Sequence, residues 1–358
     1  MSYSDLLSLY KNNRFREIDE SPDAQKFYLL RSISKKNTLR DFSRKHSLQD
    51  NLDDILSNNV ITVEKIIEYI RETFVPKTET EISDIEAELN KMQNFDWGGS
   101  AGNSLEKNIV NNVVKKNLKY DDVQRAIAGP IQHSVYGYTL NSWYNHWSSI
   151  LIQEIFYANP KVIPTIDLVE KIDFFIEATP FDLKVTYFPE ELMEKKIAPR
   201  LQEEFGRRNE LTCMKKIARE IGISIPADLE RRALTICLHN LLCESTSEIA
   251  QDFLVKLSEI KSEVYDYYVM HPNELIVWLY ENQGERRFDA ANRFYVVLID
   301  RDKPFDSWKL KRNVRLLKDK INEKIDEFDE NQRNCVEFHW ENDEKDYSCY
   351  SEILFISR

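Results

Sequence analysis

Glycine and proline are scarce, 8 and 11 among 358 residues. That excludes collagen-like and low-complexity architectures and points to a chain built mostly of regular elements. No stretch approaches the roughly 20 apolar residues needed to cross a bilayer. Residues 1–20 also lack the apolar core of a secretory signal, so no membrane association is expected. The five cysteines, Cys213, Cys237, Cys243, Cys335 and Cys349, form no Cys-x-x-Cys pair and are odd in number. This argues against a disulfide framework and a zinc ribbon alike, and a reduced, cytoplasmic setting is expected. The six histidines are scattered and show no metal-binding His-x-x-x-His spacing. The one glycine cluster, Trp-Gly-Gly-Ser-Ala-Gly-Asn-Ser at 97–104, is followed by no Gly-Lys-Ser/Thr, so P-loop nucleotide hydrolysis is unsupported.

Positive charge is the other shortage. A formal net charge of −12 repels polyanions at long range, which speaks against an evenly basic nucleic-acid binder. The charge is unevenly distributed: residues 286–320 hold 11 Lys/Arg against 5 Asp/Glu, a local +6, whereas residues 321–358 hold 4 against 11, a local −7. Two readings of the basic stretch stand side by side. It lines a positive cleft on an acidic protein, or Lys309, Lys311, Arg312, Arg315, Lys318 and Lys320 form the solvated face of a helix over Leu310, Val314, Leu317 and Ile321.

Along the chain, residues 1 to about 75 are helix-rich, with apolar spacing at Leu6, Leu7 and Tyr10 and again at Val63, Ile66, Ile67 and Ile70. Residues 76–80 read as a linker, and the basic run 38–46 reads either as a segment that lies on DNA, which would make the N-terminal region DNA-contacting, or as an ordinary amphipathic helix. Trp143, Trp147, Ile150, Leu151 and Ile155 space a strongly apolar helix that Asn159 and Pro160 stop. A long helical region follows from 190 to about 268. Strand signals are strongest at 292–300, and a last strand is expected at 353–357, with Tyr350 as a possible start.

Residues 171–189 contain the chemistry. Two apolar runs, at 172–176 and 181–188, flank a short break, the pattern of a buried hairpin interrupted by Asp173, Asp182 and Lys184. Strand alternation puts Asp182 and Lys184 on one face and Phe181, Leu183 and Val185 on the other. With the turn at Glu177 and Ala178, Asp173 falls opposite Asp182 and Lys171 opposite Lys184. Opposed carboxylates repel, so a sheet that keeps them has a cation to place between them. Other acidic-x-Lys triplets, at 194–196, 259–261 and 343–345, sit in polar or helical surroundings. Only 182–184 lies in an apolar strand, where charge is costly unless paired or metal-bound. The bland alternative is a pair of salt bridges, Lys171 with Asp173 and Asp182 with Lys184, on a solvated sheet.

Asp173 followed by Asp182-Leu183-Lys184 on the next strand resembles the PD-(D/E)xK nuclease signature, and the run through 171–189 resembles type II restriction endonucleases in particular. Ile172 stands where the signature's name has proline. The resemblance implies an α/β (α+β) fold with a restriction-endonuclease-like core, a mixed β-sheet flanked by helices, here with a helical N-terminal region (1–95) and a catalytic domain (96–358) holding a helical insertion at about 190–268. It implies Mg²⁺ as cofactor, one or two ions, held by Asp173, Asp182 and the carbonyl of Leu183, with Lys184 orienting the attacking water. It also implies an accessory acidic residue from a preceding helix, for which Glu106 and Glu154 are candidates, with Gln153 beside the latter. The implied partners are double-stranded DNA, a second copy of the chain as a homodimer, and a cognate DNA methyltransferase. Gln283, Arg286, Arg287, Lys309, Lys311, Arg312 and Asn313, at the two ends of the 292–300 strand, are candidate DNA contacts. Competing expectations are a repair or mobile-element nuclease with the same core, or a noncatalytic DNA-binding or interaction module.

Overall fold

In a computed structural model of the chain, residues 1–93, 105–169, 171–227, 229–282, 290–341 and 344–358 are described. Six strands, β1 (Val162–Val169), β2 (Ile172–Ile176), β3 (Thr179–Tyr187), β4 (Arg293–Ile299), β5 (Cys335–Trp340) and β6 (Lys345–Ser357), form one sheet in the order β1-β2-β3-β4-β6-β5. The β1–β2, β2–β3 and β5–β6 pairs are antiparallel, whereas β4 runs parallel to both β3 and β6. The fold is therefore mixed α and β, with helices on both faces of a mixed sheet.

The sequence explains this order. All seven residues of β4 are buried, because a central strand with parallel neighbours and helices on both faces meets no water and reads as an unbroken apolar run. Phe294, Val296 and Leu298 point into one core with Leu151, Ile155 and Phe156 of the Gln132–Tyr157 helix and Leu317 and Ile321 of the Val314–Asp326 helix. Tyr295, Val297 and Ile299 point into the other, with Leu257, Tyr268, Leu275, Ile276 and Tyr280. A parallel connection needs a crossover. The crossover from β3 to β4 is the expected helical region, extended through the Pro272–Glu281 helix.

The helical N-terminal residues do not form a core of their own. Leu6, Phe27, Phe42, Ile66 and Ile70 belong to the same buried cluster as Ile163 of β1 and Phe175 of β2. The basic run at 38–46 forms the Lys36–Lys45 helix, which buries Leu39 and Phe42 while Arg44 pairs with Asp41 and Lys45 with Glu72. Beyond the expected strands the sheet holds β1, β5 and the first half of β6, which starts at Lys345 rather than near 350. In β5 buried and exposed residues alternate along Cys-Val-Glu-Phe-His-Trp, and the charged stretch around it masks that short period-2 signal. The five cysteines are free thiols. Among the described residues, no helix is long and apolar enough to cross a membrane.

Candidate active site

β2 and β3 are joined by the two residues Glu177 and Ala178, with Glu177 in the left-handed region at φ 54°. That short turn sets the register Ile176↔Thr179, Phe175↔Pro180, Phe174↔Phe181, which one further step carries to Asp173 opposite Asp182. Side-chain alternation then sorts the faces as expected: Phe181, Leu183, Val185 and Tyr187 pack into the core with Phe174 and Phe294, and Asp182 and Lys184 take the other side. At Asp173 the ladder changes character. The amide of Leu183 donates to Asp173 Oδ2 at 2.7 Å, so a side chain replaces a strand partner where the hairpin opens. The carbonyl of a strand residue points the same way as its amide, which directs Leu183 C=O to this side as well.

The three signature residues converge. Lys184 Nζ donates to Asp182 Oδ1 at 2.7 Å. Asp182 is 9% exposed, whereas the Lys184 side chain is 42% exposed, so the ammonium closes an otherwise covered carboxylate from the solvent side. Burial, and then the charge of Asp182, push the Asp173 carboxyl up to about 6, against the opposing pull of the Leu183 amide and Lys184. The salt-bridge alternative holds only in half: Lys184 does pair with Asp182, but Lys171, in a left-handed turn at φ 70°, donates to Asn13 Oδ1 at 2.8 Å.

Further residues complete the surroundings. The parallel register places Arg293, the first residue of β4, beside Asp182. Its Nε lies 3.6 Å from Asp182 Oδ2 with the side chain 2% exposed, its Nη1 donates to Tyr295 Oη at 3.2 Å, and its Cζ lies 4.8 Å from the Tyr280 ring centroid. Tyr280 is itself anchored, donating to Ala291 O at 2.7 Å and meeting Ser351 Oγ at 2.6 Å. Gln153 and Tyr157, one turn apart on the Gln132–Tyr157 helix, both reach Asp173: Gln153 Nε2 donates to Oδ1 at 3.4 Å and Tyr157 Oη to the backbone carbonyl at 3.3 Å. Arg293 and Tyr157 carried no readable signal, since a charge at the head of an apolar strand and a tyrosine on an apolar helix have many uses.

Several candidates fall elsewhere. Glu154, one residue round the helix from Gln153, is taken by the chain at 76–80, accepting the Lys77 amide at 2.9 Å, and makes no described contact with the acid pair. Glu106 lies on the Leu105–Ile109 helix with its side chain outside the described residues. Gln283, Arg286, Arg287 and the glycine cluster at 97–104 also lie outside them. The basic stretch after β4 is corrected in part. Arg312 is buried and its Nη1 donates to the carbonyls of Leu89 and Met92 at 2.6 and 2.7 Å. Lys311 is buried, donates to Asn145 Oδ1 at 3.0 Å and has its pKa lowered to about 8 by burial. Asn313 caps the Val314–Asp326 helix by accepting from the Leu316 amide. These three fasten the sheet to its helices, leaving Lys309, paired with Asp306 at 2.9 Å, as the half-exposed member of the set. Leu310, Val314, Leu317 and Ile321 are buried as the helix reading requires.

For a divalent cation, the donors on offer are the carboxylates of Asp173 and Asp182 and the Leu183 carbonyl. Among the described residues, no three or more His, Cys, Asp or Glu side chains converge. Two carboxylates and a carbonyl fit Mg²⁺, a hard cation that keeps several waters and takes few protein ligands. The upward push on Asp173 is the electrostatic mark of such a pair, and a cation between them would relieve it. Compared with protein-family models, curated proteins and solved structures, the chain matches none.

Proposed function

We propose that the protein is a Mg²⁺-dependent, restriction-type deoxyribonuclease that cuts double-stranded DNA at a defined sequence through a PD-(D/E)xK-like site. The observation that carries this reading is the meeting of Asp173, Asp182 and Lys184 on adjacent strands, with Asp173 raised and Lys184 two positions after Asp182. The acid pair with the Leu183 carbonyl would hold the ion. When bound, Mg²⁺ supplies neutralisation of charge developing on the phosphate oxygens and a lower pKa for water. Lys184, with its half-exposed ammonium, orients the attacking water. Gln153 and Tyr157 fix Asp173 from the helix side, and Arg293 fixes Asp182 from the sheet. Water attacks phosphorus, the bond to the 3′ oxygen breaks, and 5′-phosphate and 3′-hydroxyl ends result. Cutting both strands asks for two such sites, which pairing of two chains would supply.

The test is incubation of the purified protein with several plasmid and phage DNAs and Mg²⁺. Discrete bands that vanish with EDTA are expected from the wild type and none from Asp182→Ala. Cutting by the variant at the wild-type level would remove the assignment. Activity confined to nicked, branched or single-stranded DNA would move it to a repair nuclease with the same chemistry.

A further inference from the structure

The four carboxylate oxygens of the acid pair each face a donor, and the donors differ in how readily they leave. Asp173 Oδ2 is held by the Leu183 amide at 2.7 Å, a backbone group fixed in β3. Asp173 Oδ1 faces Gln153 Nε2 at the long distance of 3.4 Å. Asp182 Oδ2 faces the guanidinium of Arg293, which is 2% exposed and lodged between Tyr280 and Tyr295. Asp182 Oδ1 is covered by a charged group that can swing away: the Lys184 side chain, 42% exposed on a flexible four-carbon stem.

We infer that Lys184 is a resident counter-ion for Asp182, and that a single divalent cation takes its place on Oδ1 and releases the ammonium to the substrate side. This rests on the reading of the site as a metal-dependent nuclease centre and adds two things to it. Lys184 has two positions, one for each state of the site. The site also takes one ion, because a second on the far side of Asp182 would lie against a guanidinium that cannot retreat. The order of events follows: the lysine is freed for the attacking water only once the ion has arrived, so the same contact that holds the empty site together withholds one of its catalytic groups.

Manganese(II) serves as the probe, its binding measured by calorimetry with the full-length chain at pH 8 and its stoichiometry by equilibrium dialysis. Wild type is expected to bind one Mn²⁺, and Lys184→Met is expected to bind one about tenfold more tightly, since no ammonium has to be displaced. Lys161→Met, which removes a charge paired with Asp326 instead, is the control for overall charge and is expected to stay within about twofold. In parallel, acetylation of Lys184 by a small amine-reactive reagent, read by peptide mass spectrometry, is expected to rise in the wild type when Mn²⁺ is added. A variant that binds no more tightly than wild type, or a Lys184 whose acetylation does not respond to Mn²⁺, overturns the displacement while leaving the nuclease reading intact. Two ions per chain overturn the single-ion assignment. Absence of Mn²⁺ binding by wild type and variant alike, with duplex DNA present or absent, removes the nuclease reading and this inference with it.

Discussion

Asp173→Asn should make the protein more stable while abolishing its chemistry. The substitution keeps the shape and an oxygen for the Leu183 amide but removes a charge that the site holds at a loss. The Asp173 carboxyl is raised from 3.8 to about 6 in the folded chain. A raised carboxyl stabilises the fold most below its unfolded value, and that contribution is lost as pH rises through about 6, so at pH 8 the ionised group weighs against folding. A shift of about two units corresponds to about 3 kcal/mol, already net of the Leu183 hydrogen bond that opposes it. With an unfolding entropy of ~2 cal/mol/K per residue over a chain of this length, the variant should melt about 3–4 °C above wild type at pH 8 in EDTA. At pH 4.5, where wild-type Asp173 is largely protonated in the fold, the difference should mostly disappear. Mg²⁺ should raise the wild-type melting temperature and leave the variant's unchanged, because only the wild type presents the full donor set. A variant that melts below wild type at pH 8, or that gains equally at both pH values, would refute the account of Asp173 as a buried acid whose charge is only partly compensated.

Asp182→Asn should move stability the other way. Its charge is matched by Lys184 and by a buried Arg293, so neutralising it strands the guanidinium and should cost about 3 kcal/mol, seen as a lower denaturation midpoint. The affinity for Mg²⁺, measured by calorimetry, should rise with pH up to about 6 and level off above, since the ion needs Asp173 ionised; an affinity flat from pH 5 to 8 would contradict this. Lys311→Met should raise the melting temperature at pH 7, because burial disfavours the charged amine, and the advantage should shrink as pH climbs from about 8 towards 10.5, where the wild-type lysine loses its proton in both states. Arg312→Ala should destabilise the fold by about 2–3 kcal/mol through the lost bonds to the Leu89 and Met92 carbonyls. It should leave the salt dependence of DNA binding unchanged, as expected of a cation that meets no phosphate.

The hairpin was legible because everything that fixes it is local. A two-residue turn between two apolar runs sets the register, and the register decides which carboxylates face each other. β4 was legible for a related reason: six consecutive apolar residues fit only a strand covered on both faces. What failed to show was set by distant partners. The first half of β6 is polar at Lys345, Asp346 and Tyr347 and is held as a strand by β5, so its propensity gives no warning. The N-terminal helices look detachable because they are helical and are followed by a linker-like stretch, yet their apolar faces close against β1 and β2. The apparent linker is itself pinned by Glu154 and by the Thr78 cap of the Glu79–Asn90 helix.

The basic stretch after β4 shows why counting charges does not locate them. In residues 304–313 the sequence offers Lys309, Lys311, Arg312 and Asn313 in a row, and periodicity alone treats each as a surface residue. A short 3₁₀ helix, Pro304–Arg312, turns the row inward. Arg312 reaches the carbonyl of Leu89, in the last turn of the Glu79–Asn90 helix, and that of Met92 just beyond it, at the helix end that favours a cation. Lys311 lies 5.2 Å from the Tyr187 ring centroid and keeps one strong acceptor. Both positions depend on elements more than 100 residues away, so no window of sequence contains the information. The acid pair escapes that difficulty because its two halves are nine residues apart on one hairpin. That difference in sequence separation is why the candidate catalytic residues could be named from the chain, whereas Arg293, brought to Asp182 only by a crossover of over 100 residues, could not.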